Sequence, residues 1–214
     1  MIPDAGTLAV FCGAALLLLV VPGPAVLYIV ASSIDGGRRA GAASMLGIQA
    51  GALVHVVAAA LGLSGLLAAS ALAFDTVKYV GAAYLIAIGL WTLFRGGSPT
   101  DPDAARPPTP HRRRFAQGVV VQILNPKTAL FFLAFLPQFV DPARGAAWVQ
   151  ILLLGATFVT LALCSDGLYA VLSGTAGGWL RRKMKSADFK RRQRYVSGGV
   201  LIALGAVAAA SGKD

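Results

Sequence analysis

The sequence lacks glutamate and has few charged residues of either sign. All nine acidic residues are Asp, and charged residues make up 13% of the 214 positions, about half the share that is usual in a soluble domain. Hydrophobic residues make up 57%, and the mean hydropathy is +0.71. A soluble domain of this length has no interior large enough to bury so much apolar surface. The composition therefore excludes a soluble domain and predicts an integral membrane protein.

Cysteine is also scarce. Cys12 and Cys164 lie in separate apolar runs and show no metal-ligand spacing. The cysteines therefore give no sign of a metal site. We also predict no cofactor and no enzymatic activity. Asp4 is the one charged residue before the first apolar stretch. Because a cleavable signal peptide needs a positively charged start, that stretch is expected to stay as a membrane span.

The apolar runs predict an all-α membrane protein with six transmembrane helices. A bilayer core takes about 20 apolar residues per helix, and six runs meet that length, at 6–31, 41–66, 71–94, 115–140, 147–173 and 195–211. A linker rich in proline and arginine, 95–114, divides the chain into two three-helix units, 1–94 and 115–214.

The basic residues predict the orientation of these helices. The loops after the first, third and fifth spans carry 15 Lys and Arg, and the opposite side carries 3. The positive-inside rule places the basic loops in the cytoplasm and both termini outside. The net charge of +10 then reflects topology and not nucleic-acid binding. Anionic lipids are the expected partners of these loops, above all of 181–194.

Two segments indicate an internal repeat. Residues 78–89 align with 194–205, and six of the twelve positions are identical. Because each repeat holds three spans, an odd number, the halves insert with opposite orientation. Inverted repeats of this kind are typical of secondary transporters that work by alternating access.

Helix-breaking residues occur near mid-depth in the first and fourth spans. They are Pro22, Gly23 and Pro24 in one half, and Asn125, Pro126 and Lys127 in the other. Proline removes a backbone donor and distorts the preceding turn. Paired interruptions at matching places in two halves indicate a binding site between them. The alternative is two ordinary proline kinks packed by neighbouring helices.

Polar side chains near these breaks are candidates for substrate contact. A lysine near the bilayer centre is expected to face a cavity or a partner, and Asp166 in the fifth span is the obvious partner of Lys127. Three interpretations stay open: direct contact with substrate, a proton-linked or gating pair, and a structural salt bridge. His55 is predicted as a proton relay or an interhelical contact. Gln49 and Gln122 are predicted to line the pathway or to bridge helices.

These residues resemble the amino-acid exporters of the lysine exporter and homoserine/threonine resistance type. The matching motifs follow one another along nearly the whole chain: Val21-Pro-Gly-Pro24, Gly36–Gly41, Gly47, His55, Lys78–Leu85, Asn125–Phe132, Leu136–Phe139, Asp166, Gly198 and Gly205. The resemblance implies a six-helix inner-membrane protein that exports amino acids or close derivatives, with protons as the coupling partner.

One position departs from the family pattern. The family usually has Asn or Asp after Pro-Gly-Pro, and Ala25 stands there instead, which leaves the substrate and the coupling open. The alternative functions are export of another small metabolite or a metal ion, a redox conduit in which Cys12 and Cys164 meet, and a scaffold without transport. Small-residue faces such as Gly47 and Gly51 suit helix packing or a homodimer.

Overall fold

The computed structural model describes residues 4–69 and 109–176, together with single helical positions between 79 and 94 and between 188 and 206. The predicted third and sixth spans, with the repeat that they carry, lie outside the described residues apart from those positions. Most of the 95–114 linker and the basic segment 181–194 also lie outside them.

The described part of the chain is helical and contains no strand. Its elements in chain order are α1 (Ala5–Val20), α2 (Pro24–Ala69), α3 (His111–Ile123), α4 (Pro126–Leu130), a π turn (Phe131–Phe135), two 3-10 turns (Leu136–Phe139 and Pro142–Arg144) and α5 (Ala147–Thr175).

Length and hydropathy identify the membrane-crossing helices among the described residues. Pro24–Gly62, which includes the non-helical residue Gly37, and Ala147–Thr175 are each long and apolar enough to span a bilayer. His111–Ile123 and Pro126–Phe139, bent by 46°, add a third when the pair is counted as one span. Ala5–Val20 is a shorter apolar helix. The chain is therefore an all-helical protein of membrane type, as its composition predicts.

The first two predicted spans are joined without a loop, because helical backbone continues past the predicted span limits at 31 and 41. Helical structure runs from Pro24 to Ala69 and is interrupted at Gly37 alone, which has φ 73° and ψ −172°. Glycine adopts this region without the steric penalty of a Cβ atom. A Cβ on Gly41 would overlap Oγ of Ser33, which lies eight residues earlier. In a straight helix eight residues span about 12 Å, so this contact shows that the chain reverses at Gly37. The turn is therefore made at one residue, whereas the sequence predicted a connection of nine residues, 32–40.

The fourth span also differs from its prediction. Its helix begins at His111 instead of 115, directly after Pro110 at the N-cap. It ends as a π turn followed by a 3-10 turn that contains Pro137, and Gln138 Nε2 donates to Ala134 O at 2.8 Å. The proline lacks the amide that regular helical bonding would use, so the last two turns of this span are irregular.

The core lies where α1, α5 and the irregular end of the fourth span meet. Its aromatic rings pack against each other with centroids 5.0–5.9 Å apart, and they are Phe11, Phe131, Phe132, Phe135, Phe139 and Phe158. Such distances are usual for offset and edge-to-face aromatic pairs. This cluster therefore holds α1 and α5 against the end of the fourth span.

Glycines bring α2 and α3 into close contact in the other half. A Cβ on Gly47 would overlap the carbonyl oxygen of Phe115 and lie 3.0 Å from its Cα, and a Cβ on Gly118 would lie 2.6 Å from Ser44 O. Small residues allow helix backbones to approach in this way within a membrane. The backbone of α3 therefore rests directly on that of α2.

We expect Gly47→Ala to lower the thermal stability of the protein strongly. The added methyl group meets backbone atoms that have no room to move, and overpacking of this kind costs about 1–3 kcal/mol or more. Gly62→Ala is the matched control on the same helix, because a Cβ there meets nothing within 4 Å. Thermal unfolding in detergent measures both. Equal melting temperatures for the two variants would contradict the close helix contact.

Candidate functional site

The break between α1 and α2 leaves backbone carbonyls without helical partners. Pro22 and Pro24 lack the N–H groups that would bond to Leu18 O and Val20 O four residues earlier. Lys127 Nζ donates to Leu18 O and also to Val21 O, at 2.6 Å. The helix break is thus satisfied largely by an ammonium group from the other half of the protein.

Tyr169 supplies the remaining donor at this break. Its hydroxyl group donates to Val20 O at 2.8 Å. Tyr169 was not among the predicted site residues. Its position three residues after Asp166, on the same face of α5, is the signal that would have found it.

The second break is built in the same way. Pro126 lacks the N–H that would bond to Gln122 O, and His55 Nε2 lies 2.9 Å from that oxygen. Because a carbonyl oxygen only accepts, Nε2 of His55 carries a proton. The His55 ring also stacks on Phe132, with centroids 6.2 Å apart. His55 therefore satisfies the backbone of the broken helix, the interhelical contact that was one of its two predicted roles.

The side chains of the second break satisfy one another. Asn125 caps α4, since its side-chain oxygen accepts from Lys127 N at 3.2 Å. Its Nδ2 donates to Gln122 Oε1 and to Thr128 Oγ1, both at 3.1 Å. Gln122 Nε2 donates to Thr128 Oγ1 at 3.2 Å. Thr128 was not predicted, and its buried hydroxyl group holds this network together.

A small cavity lies between the two breaks. Its volume is about 30 Å³, which corresponds to about one or two water molecules. Six predicted site residues line it: Gly23, Gln49, Gln122, Asn125, Lys127 and Asp166. The other four are not among its lining residues. They belong to the breaks themselves or, in one case, bond to a break, and they are Pro22, Pro24, Pro126 and His55. Ala25 also lines the cavity.

Lys127 and Asp166 face this cavity as separate charges. Within residues 4–69 and 109–176, no ion pair joins them, because Lys127 Nζ is bonded to carbonyls of the first break. Asp166 is 3% exposed and accepts from Gln49 Nε2 at 2.8 Å. A Cβ on Gly23 would lie 3.2 Å from Lys127 Cδ, so this glycine makes room for the lysine stem. Of the three interpretations of Lys127 and Asp166, the structural salt bridge is the one that this geometry does not favour.

A buried arginine lies near the start of α3. Arg114 is 9% exposed, and its guanidinium group donates to Ser32 O and Thr109 O, each at 3.3 Å. Tyr28 donates from its hydroxyl group to the carbonyl of Arg114 at 2.8 Å. These bonds tie the start of α3 to the first half of α2. Arg114 was predicted to lie in the linker 95–114, and its burial was not predicted.

The features needed by the two alternative chemistries are sparse in the described residues. Cys12 and Cys164 are free thiols, and Cys164 is exposed. No group of three His, Cys, Asp or Glu side chains within the described part of the chain is placed to hold a metal ion.

Comparison with known proteins gives a consistent result. The family model described as LysE type translocator matches residues 16–212. The homoserine/homoserine lactone efflux protein of Salmonella typhi is 31% identical over 189 residues, which cover 87% of this chain and 91% of that protein. An uncharacterized membrane protein of Vibrio cholerae is 29% identical over 89% of this chain and 90% of its own length. No solved structure matches significantly. The chain belongs to the LysE type translocator family of membrane proteins.

Proposed function

We propose that this protein exports amino acids or close derivatives from the cytoplasm, by alternating access coupled to protons. The observation that carries the proposal is the cavity between two broken helices, where one ammonium group and one carboxylate face the same space without pairing. An amino acid carries the complementary pair of charges. Family membership and the efflux activity named for the Salmonella relative support the same direction.

The site suggests how the two charges of a zwitterion are held. Lys127 Nζ has three donors, of which two bond to carbonyls, so one is left for the substrate carboxylate. Asp166 binds the substrate ammonium group. Protonation of Asp166 from the outside then weakens that contact, releases the amino acid and resets the carrier.

The lining residues favour a substrate with an uncharged side chain. Of the lining residues that the structure describes, Lys127 and Asp166 carry charge, and both are needed for the zwitterionic head group. Much of the remaining wall is apolar and includes Leu18, Leu19, Ala25, Val26, Ile48 and Phe158. A second charge on the substrate would lack a partner here and would be costly to bury. Ala25, where the family pattern has Asn or Asp, adds to this apolar wall.

Alternating access requires the cavity to widen. A volume of about 30 Å³ has room for one or two water molecules, and an amino acid needs a wider site. We propose that the two inverted three-helix units, 1–94 and 115–214, move against each other to open one exit at a time. We further propose that the protein lies in the inner membrane with both termini outside, an orientation that the distribution of basic residues between its loops supports.

Transport by purified protein in liposomes tests the proposal. The liposomes are loaded with a mixture of the common amino acids, homoserine and homoserine lactone, and an outward driving force is imposed. We expect one or a few compounds with uncharged side chains to be released above the level of protein-free liposomes, as identified by mass spectrometry. Release of lysine or arginine alone would contradict the proposed substrate class. No release by folded protein would favour another metabolite or an ion.

A further inference from the structure

The side-chain amide of Gln49 is satisfied at one end only. Gln49 is 5% exposed and lines the cavity. Its Nε2 donates to Asp166 Oδ2 at 2.8 Å. Its Oε1 is buried and accepts no hydrogen bond from any residue that the structure describes. Buried polar atoms in folded proteins almost always have a partner, so this oxygen calls for an explanation.

The orientation of the amide follows from its neighbour. An ionised carboxylate only accepts hydrogen bonds, so the donor end of Gln49 faces Asp166 and the oxygen points elsewhere. Lys127, the cation of the cavity, does not donate to this oxygen; its two hydrogen bonds go to Leu18 O and Val21 O. The acceptor is thus held in place by Asp166 and left without a donor from the described chain.

Two other buried glutamines show that this state is particular to Gln49. Gln122 accepts from Asn125 and donates to Thr128. Gln150 is 1% exposed, accepts from Asp141 N at 3.0 Å and donates to Asp141 O at 2.8 Å. Both amides are satisfied at both ends. Among these three glutamines, Gln49 alone has a buried amide oxygen without a partner in the described part of the chain.

We propose that Gln49 Oε1 and the Asp166 carboxylate together bind the ammonium group of the transported amino acid. The inference rests on the proposed function. An ammonium group has three N–H donors, and two of them meet these two acceptors, which are already held at a fixed separation by their own hydrogen bond. A carboxylate alone attracts any cation. The added amide oxygen supplies a second acceptor in a fixed direction, which suits a primary ammonium group with its three N–H donors.

Binding measurements on one matched pair of ligands test this inference. Homoserine is the probe, and 4-hydroxybutyrate, which has the same chain without the α-amino group, is its partner. Gln49→Met removes the oxygen at nearly constant volume. A hydrogen bond to a charged group contributes about 1.5–3 kcal/mol, so we expect the affinity for homoserine to fall about ten- to hundredfold. The affinity for 4-hydroxybutyrate is expected to stay unchanged.

Two further variants separate substrate contact from a role in positioning Asp166. Gln49→Glu keeps acceptor oxygens but no longer donates to Asp166, so it is expected to bind homoserine better than Gln49→Met. If Gln49 only positioned Asp166, the glutamate variant would be the weaker of the two, since it would repel the carboxylate. Gln150→Met is the control for replacing a buried glutamine, and we expect it to lower stability without changing the affinity for homoserine.

The outcomes distinguish this inference from the proposed function. If the wild-type protein transports homoserine and Gln49→Met binds it with unchanged affinity, the inference is wrong and the proposed function stands. If the folded wild-type protein transports neither homoserine nor any other amino acid, both fail. Should Gln49→Met fold poorly, the comparison of Gln49→Glu with wild type decides the question.

Discussion

Replacement of Lys127 by methionine is expected to abolish transport and to destabilise the protein. The variant keeps most of the side-chain volume but removes the donor to Leu18 O and Val21 O. A buried polar group left without a partner costs about 1–3 kcal/mol, and two carbonyls are affected. It also removes the positive charge proposed to bind the substrate carboxylate. Transport in proteoliposomes and thermal unfolding in detergent measure the two effects.

Tyr169→Phe provides the control for this prediction. It removes a donor to Val20 O at the same helix break but leaves the charge of the cavity unchanged. We expect a loss of about 1 kcal/mol in stability and a protein that still transports. A methionine variant that transports at the wild-type rate would refute the proposed role of Lys127. Equal loss of transport in both variants would assign the effect to the helix break and not to the charge.

Replacement of Asp166 by asparagine is expected to abolish export driven by a proton gradient. The new amide oxygen still accepts from Gln49 Nε2, as Asp166 Oδ2 does now, so the packing is kept. The variant has no group that binds and releases a proton at this position. Exchange of external for internal substrate needs no net proton movement, and we expect it to persist at saturating substrate, with a raised KM.

Two assays on the same proteoliposomes separate these activities. One follows substrate release under an imposed proton gradient, and the other follows exchange of labelled for unlabelled substrate without a gradient. Asp141→Asn is the control, because Asp141 is exposed and pairs with Arg144 at 3.2 Å, away from the cavity. If Asp166→Asn exports substrate against a gradient at the wild-type rate, Asp166 does not carry the proton.

The sequence predicts the positions of the helix breaks but not the groups that satisfy them. A proline removes a backbone donor wherever it stands, so Pro22, Pro24 and Pro126 identify the affected carbonyls without any structure. Which side chain reaches each carbonyl depends on how the helices are rotated and packed. Lys127 was a candidate because a charge in the membrane needs a partner. Tyr169 carries no such signal, since a tyrosine in a span has many ordinary roles.

The boundaries of the spans show a second limit of sequence reasoning. Hydropathy falls at Asp35, Arg38 and Arg39, and this fall suggested a loop. The helix nevertheless continues through Asp35, because charged residues at a membrane surface are compatible with helical backbone. The chain turns at Gly37 alone. Hydropathy measures the preference of a side chain for lipid, and the turn depends on backbone freedom and on how closely the two helices pack.

The side chains that bond to the carbonyl oxygens of the two breaks bear on how well the protein holds back protons. Leu18, Val20, Val21 and Gln122 offer carbonyl oxygens at the depth where the breaks occur, and each is bonded to a side chain. Oxygens that are bonded to protein leave fewer acceptors for water at that depth. A continuous file of water across a membrane protein would let protons leak through the bilayer. We therefore expect the lysine, tyrosine and histidine at the two breaks to limit proton leakage through the closed protein.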